Sequence, residues 1–130
     1  MIEVRWLDKG QQIINYRFLR GWNWDDLYAA EKQSREMAAS VSHAVYIVLD
    51  LRDAQLIPKN ALSHINITMN RQPDNLEGIL LIGANAFVKI LMNTLERLRP
   101  RGDTPMIYVE TEEALETWIE KFKSAGAASH

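Results

Sequence analysis

Two short, uninterrupted apolar runs constrain this chain more than any other feature. They are Ala44-Val45-Tyr46-Ile47-Val48-Leu49, ended by Asp50, and Ile79-Leu80-Leu81-Ile82, enclosed by Gly78 and Gly83. Each has the length of a strand and falls short of a core helix, and neither alternates as a strand with one wet face must. A strand apolar on both sides is covered on both sides, the situation of central strands in a parallel sheet. Parallel neighbours need crossovers of a dozen or more residues, so the segments between the runs should be helical.

The intervening sequence meets that requirement. Asn23 is placed to cap a helix with Asp26 at its third position, where the carboxylate also suits the positive end of the helix dipole; the helix should reach about Ser40. Trp24, Leu27, Tyr28, Met37, Ala38 and Val41 share its apolar face, and Lys32, Arg35 and Glu36 fall largely outside it. Pro58 suits the first turn of a second helix, running to about Arg71 with Leu62, Ile65 and Met69 on one stripe. Asn85 caps a third, in which Phe87, Ile90, Leu91, Thr94, Leu95 and Leu98 recur at helical spacing until Pro100. After a strand at 105–109, Thr111 caps a last helix whose inner face is Ala114, Leu115, Trp118, Ile119 and Phe122. Upstream, Ile2, Val4 and Trp6 alternate with Glu3 and Arg5, Asp8-Lys9-Gly10-Gln11 reads as a turn, and Ile13 to Leu19 resumes a strand. The expected fold is therefore α/β: a mixed sheet of about five strands, an N-terminal hairpin followed by βαβαβα, with helices mainly on one face. Crossovers should be right-handed and the last three strands parallel, with the hairpin as an antiparallel edge.

A chain of 130 residues fits one domain, placed at 1–124, with the small, aperiodic 125–130 stretch as a flexible tail. Lys and Arg total 15 against 17 Asp and Glu, so no whole-molecule field favours nucleic acid and no such partner is expected. The absence of cysteine removes disulfides, thiolate zinc sites and cysteine nucleophiles, and fits a reducing compartment, hence the cytoplasm. No apolar run approaches the roughly 20 residues of a membrane span, and the N-terminus lacks a signal-peptide core, so no stable membrane insertion is expected.

Asp50, Arg52 and Asp53 lie just past the carboxyl end of the central strand, where open α/β sheets hold ligands. A polar site there would be joined by Lys59, Asn60 and, from the next loop, Asn85. The plainer alternative is that Asp50 bonds loop amides while Arg52 and Asp53 are solvated turn residues. Two carboxylates in one loop lack the ligand count of a dedicated cage, so no metal is expected. Gly83-Ala84-Asn85-Ala86 lacks the further glycines of a dinucleotide fingerprint and the Gly-Lys-Ser/Thr of a P-loop. Neither His43 nor His64 has a spacing that argues for catalysis, and His64 reads as a boundary residue. No catalytic residue, cofactor or enzymatic activity is expected. Trp22 and Trp24 flank the first cap, one as a staple under the sheet and the other open to a role as an exposed anchor, with structural packing the favoured reading because apolar residues at helix starts usually staple. Arg97, Arg99 and Arg101, offset by Glu96 and Asp103, read as a solvated helix end.

The stretch Val48-Leu49-Asp50-Leu51-Arg52-Asp53, followed by a helix at Pro58-Lys59-Asn60-Ala61-Leu62, resembles the STAS domain family, which includes the anti-sigma-factor antagonists and the cytoplasmic domains of sulfate transporters. The resemblance covers nearly the whole chain in element order. Trp22-Asn23-Trp24 before the first helix and Leu51-Arg52-Asp53 after the central strand make it most similar to the bacterial STAS-like proteins of the sporulation-antagonist type. In the antagonists an Asp-Ser-Ser/Thr-Gly motif opens the helix after that strand, and a kinase phosphorylates its hydroxyl to break the partner complex. Those places hold Pro58, Lys59, Asn60 and Ala61 here, so no acceptor oxygen remains and Lys59 reverses the charge a phosphate would bring. Ser63, one helical turn on, is the alternative hydroxyl.

The resemblance implies a non-catalytic protein-interaction module of a bacterial regulatory system, without the usual phosphorylatable Ser/Thr. Its partner-binding residues would be Arg52, Asp53, Lys59, Asn60 and Ser63, and a homodimer is compatible with it. The rival is a small-ligand carrier or sensor for a lipid or nucleotide-like molecule, with Asp50 and Asn85 as ligand-binding positions. The module requires an exposed apolar patch beside residues 57–69 and no deep cavity; the carrier requires a sizeable apolar pocket.

Overall fold

The chain runs β1 (Ile2–Trp6), β2 (Ile13–Phe18), α1 (Trp24–Ala39), β3 (Val45–Asp50), α2 (Ala61–Met69), β4 (Leu76–Ile82), α3 (Ala86–Leu98), β5 (Met106–Val109) and α4 (Glu112–Ala128). This computed structural model describes residues 1–54, 56–98 and 104–128. Pro100, Arg99, Arg101, Asp103 and the last two residues of the expected tail lie outside them.

The strands form one sheet in the order β1-β2-β3-β4-β5. β1 pairs with β2 antiparallel, and each later pair is parallel. Parallel pairing thus begins one strand earlier than the sequence pattern indicated, and β1 alone is the antiparallel edge. A sheet that grows in one direction through crossovers of one hand carries all its crossover helices on one face. Accordingly, residues of α1, α2 and α3 pack with Ile14, Tyr16, Phe18, Val45, Ile47, Ile79 and Leu81 on one side. α4 follows the last strand, is not a crossover, and packs through Leu115, Trp118 and Phe122 on Ile13, Tyr46, Val48, Leu80, Ile82 and Val109 on the other. Phe122 stacks on Tyr46 at 4.2 Å between ring centroids, with Gly78 leaving the space for it.

Local chemistry places the element ends where expected. Asn23 accepts from the Asp26 amide at 2.9 Å and Asp26 accepts from the Asn23 amide at 3.0 Å, a reciprocal capping box. That amide, and the α-amino group of Met1 3.0 Å away, hold the Asp26 carboxyl below the usual range. Asn85 accepts from the Val88 amide and Thr111 from the Ala114 amide. Asp8 accepts from the amides of Gln12 and Ile13 and closes the hairpin.

Two helices differ from the periodicity reading. α2 starts at Ala61 instead of Pro58, because Asn60 is left-handed (φ 66°, ψ 33°) and no helix can run through it. In α3 the buried stripe is Val88, Leu91, Met92 and Leu95, while Phe87 and Ile90 point outward. Both stripes have helical spacing, and tertiary packing chose between them.

Candidate functional site

The β3 carboxyl end forms a tightly held polar junction. Asp50, buried at the strand end, accepts from the Arg52 amide at 3.1 Å, from Arg52 Nε at 2.9 Å and from an Arg52 terminal nitrogen at 2.8 Å. The other terminal nitrogen of Arg52 donates to Glu112 at the start of α4 at 2.6 Å. Burial pushes the Asp50 carboxyl upward, but the Arg52 hydrogen bonds outweigh it and leave the group below its ordinary value. The same bonds raise Arg52. Next to this chelate, Arg17 pairs with Asp53 at 3.1 Å and with Glu3 at 3.6 Å.

A depressed carboxyl stabilises the fold above its unfolded value, here 3.8, and loses that contribution as the pH falls through the folded value. Asp50→Asn should therefore be less stable than wild type at pH 7 by about 1–3 kcal/mol, since the Arg52 fork loses its charged acceptor. The gap should close as the pH drops below 3.8, which denaturant titrations at pH 7 and pH 3 would read. A gap that does not change with pH would show that the ionised Asp50–Arg52 pair contributes nothing.

Asp50, Arg52, Asp53 and Glu112 belong to a cleft of about 480 Å³ on the α4 side of the sheet, also lined by Arg5, Leu7, Asn15, Arg17 and Leu115. The structure does not bring Lys59, Asn60, Ser63 or Asn85 into it. Asn85 spends its carboxamide oxygen on the α3 cap. Lys59 and Asn60 lie on the other side of the loop, where Trp24 Nε1 donates to the Lys59 carbonyl at 2.6 Å. The Ser63 hydroxyl donates to the Asn60 carbonyl.

That hydrogen bond is one part of a clasp between α1 and α2. Trp24 stacks on His64 at 4.8 Å between centroids, and the Tyr28 hydroxyl bonds His64 Nδ1 at 2.6 Å. Trp22 is buried edge-on between Phe18 and Trp24. Trp24 is thus committed to holding α2, so both indoles serve packing, as the structural reading of this pair expected, and neither is an exposed anchor. The pairing of Trp24 with His64, some 40 residues apart in the chain, leaves no local signature.

No protein-family model matches this chain, and neither the curated proteins nor the solved structures contain a match to it. The architecture, a five-stranded mixed sheet with four helices among the described residues, is consistent with the STAS-like element order.

Beneath α2, between the sheet and α1–α3, lies an apolar cavity of about 80 Å³, lined among others by Tyr16, Trp22, Ile47, Ile65, Thr68 and Leu81. Outside it, Leu56 (83% exposed), Leu62, Ile67, Phe87 (54%) and Ile90 (65%) present apolar side chains on the loop, α2 and α3. Sequence reasoning missed Leu62, Phe87 and Ile90 as surface residues because it assigned them to the apolar stripes of their helices. Among the described residues no three His, Cys, Asp or Glu side chains group so as to hold a metal ion, and no helix is long and apolar enough to cross a membrane.

Proposed function

We propose that this chain is a non-catalytic protein-interaction module of the STAS type, acting in a bacterial cytoplasmic regulatory system through the face built by the 52–60 loop, α2 and α3. The observation that carries this reading is the outward apolar set Leu56, Leu62, Ile67, Phe87 and Ile90. Exposed apolar surface of this extent marks interaction sites, and α2 and α3, which carry four of these five side chains, pack beside each other. Lys59 and Asn60, both exposed at the loop end, border it. The carrier reading has weaker support: about 80 Å³ lies well under the roughly 300–1,000 Å³ of small-molecule pockets and does not hold a lipid or a nucleotide.

The test is affinity capture of the tagged protein from its own cells, with intact-mass analysis under non-denaturing conditions. A stoichiometric protein partner is expected, and Ile90→Asp or Leu56→Asp should weaken its binding by roughly tenfold or more while leaving the thermal midpoint within a few degrees. Lys59→Ala should weaken it too, because the hydrogen bond from Trp24 uses the backbone carbonyl and survives the change. At position 60 the clean substitution is Asn60→Gly, since alanine at φ 66° would add strain of about 1 kcal/mol. Unchanged affinity in the Ile90 and Leu56 variants would place the interface elsewhere. A retained small molecule with no protein partner would replace this reading with the carrier.

A further inference from the structure

On the opposite face of the sheet, α4 covers β3, β4, β5 and Ile13 at the start of β2 but leaves the rest of the hairpin open, and the polar cleft occupies that gap. Side chains alternate along β2, so Ile13, Asn15 and Arg17 face this side while Ile14 and Tyr16 face the main core. Arg5 stands directly across the β1–β2 ladder from Asn15. Asn15 is 7% exposed, lines the cleft, and its carboxamide has no hydrogen-bond partner among the described residues. The amide atoms are not sealed off but open onto the cleft, so water serves them when the cleft is empty and a ligand must replace that water with hydrogen bonds of its own. Arg5 is likewise without an ion pair among the described residues.

The charges around this amide select the occupant. Asp50 is saturated by Arg52, but Asp53 and Glu112, both more than half exposed, each use only one oxygen in the ion pairs described. Uncommitted donors on Arg5 and Asn15 therefore line the same cleft as uncommitted acceptors on Asp53 and Glu112. Three guanidinium groups (Arg5, Arg17, Arg52) balance three carboxylates (Asp50, Asp53, Glu112). A polyanion would meet the carboxylates and a polycation the guanidinium groups; a molecule carrying one of each charge meets neither penalty. The cleft volume of about 480 Å³ lies within the roughly 300–1,000 Å³ of small-ligand sites.

From this geometry we infer that the cleft is a binding site for a small zwitterion of the free amino-acid class, its carboxylate held by Arg5 and the Asn15 amide and its ammonium by Asp53 and Glu112. This site is independent of the apolar face on the far side of the sheet, and a sensor of this kind would give the module a signal to respond to.

Ligand-observed saturation-transfer NMR on the full chain, with the proteinogenic amino acids as probes, tests it. At least one should bind with a Kd of about 1 mM or tighter. Its N-acetyl and carboxamide derivatives, each lacking one charge, should both bind roughly tenfold more weakly, as should Arg5→Gln and Glu112→Gln proteins. Citrate and putrescine, as polyanion and dication controls, should give no signal at the same concentration. Asn15→Val, which removes the amide and nearly keeps the volume, should fold and should bind roughly tenfold more weakly. No binding by any amino acid, stronger binding of citrate or putrescine, or affinity unchanged in Arg5→Gln or in a folded Asn15→Val would each overturn the assignment.

Discussion

Replacing Glu31 with methionine should make the protein more stable, by about 1–2 kcal/mol at pH 7 and roughly 3–10 °C in thermal midpoint. Glu31 sits on the inward face of α1 with 1% of its surface exposed, and neither carboxylate oxygen has a hydrogen-bond partner among the described residues. Arg35 Nε lies 3.1 Å from one oxygen as an ion pair, one helical turn away, without the alignment of a hydrogen bond. Burial pushes the carboxyl above its usual value against the opposing pull of Arg35 and Arg71. A carboxyl raised in the folded state costs nothing extra below its unfolded value of 4.5, and its cost grows as the pH rises through the folded value. The gain from Glu31→Met should therefore shrink as the pH is lowered toward 4.5. Methionine matches the volume, and the arginine it leaves behind is about half exposed and turns to water, so no buried charge is stranded. Arg35→Ala should act in the opposite direction, because it strands the carboxylate. Denaturant midpoints of the two variants at pH 7 and pH 5 decide the matter. A destabilised Glu31→Met would mean that the carboxylate is satisfied by a group the packing does not show.

The neighbourhood of Glu31 shows which parts of this molecule were legible in its sequence. Caps are local, so Asn23 with Asp26, Asn85 and Thr111 could be assigned from spacing alone, and the structure uses all three as caps. The apolar runs of β3 and β4 announced the centre of the sheet because burial on both faces leaves no polar alternation to misread. The inner stripe of α1 was harder. It contains Leu27, Ala30, Glu31, Ser34 and Ala38, at regular helical spacing, but two of the five are polar and a search for apolar periodicity passes over them. The Ser34 hydroxyl is paired with that of Tyr16, whose phenol is pushed up to about 12 by burial, so this stripe carries a polar strip into the core. In α3 two apolar stripes compete, and only the position of the sheet decides that Val88 and Leu91 go in while Phe87 and Ile90 stay out.

The site residues divide in the same way. Asp50 and Arg52 are neighbours in the chain, and a polar group at the carboxyl end of a central strand could be expected from the fold. Their partners could not. Glu112 arrives from the far end of the chain, and Arg5 meets Asn15 only through the hairpin register. The expected union of Asp50 with Lys59, Asn60 and Asn85 assumed that one loop has one side. The left-handed turn at Asn60 and the clasp of Trp24 on the Lys59 carbonyl send the second half of the loop to the α1–α2 face instead. Asn60 carried a signal of its own, since asparagine is the residue other than glycine that most readily adopts this conformation.

Gly83→Ala should be among the most destabilising single changes in the chain, at about 2–5 kcal/mol. Gly83 follows β4 with φ +82°, a conformation that alanine adopts at a cost of about 1–2 kcal/mol. A methyl group there would also stand 2.7 Å from the Arg52 amide nitrogen and 2.9 Å from its Cα and Cγ. Two of those atoms are backbone and cannot turn aside, so the loop after β3 must move. That loop is tied to the end of β4 by the Leu51 amide, which donates to the Ile82 carbonyl at 2.8 Å. Displacing it therefore pulls on the Asp50–Arg52 chelate as well. Gly21 provides the control: it has the same φ of +82°, but no atom lies within 4 Å of the added methyl, so Gly21→Ala should lose only the conformational term. The difference between the two variants isolates the steric contribution of the close approach between Gly83 and Arg52. Equal losses in urea denaturation would show that the loop yields freely, in which case the junction at the end of β3 is soft and the cleft beside it is not preorganised.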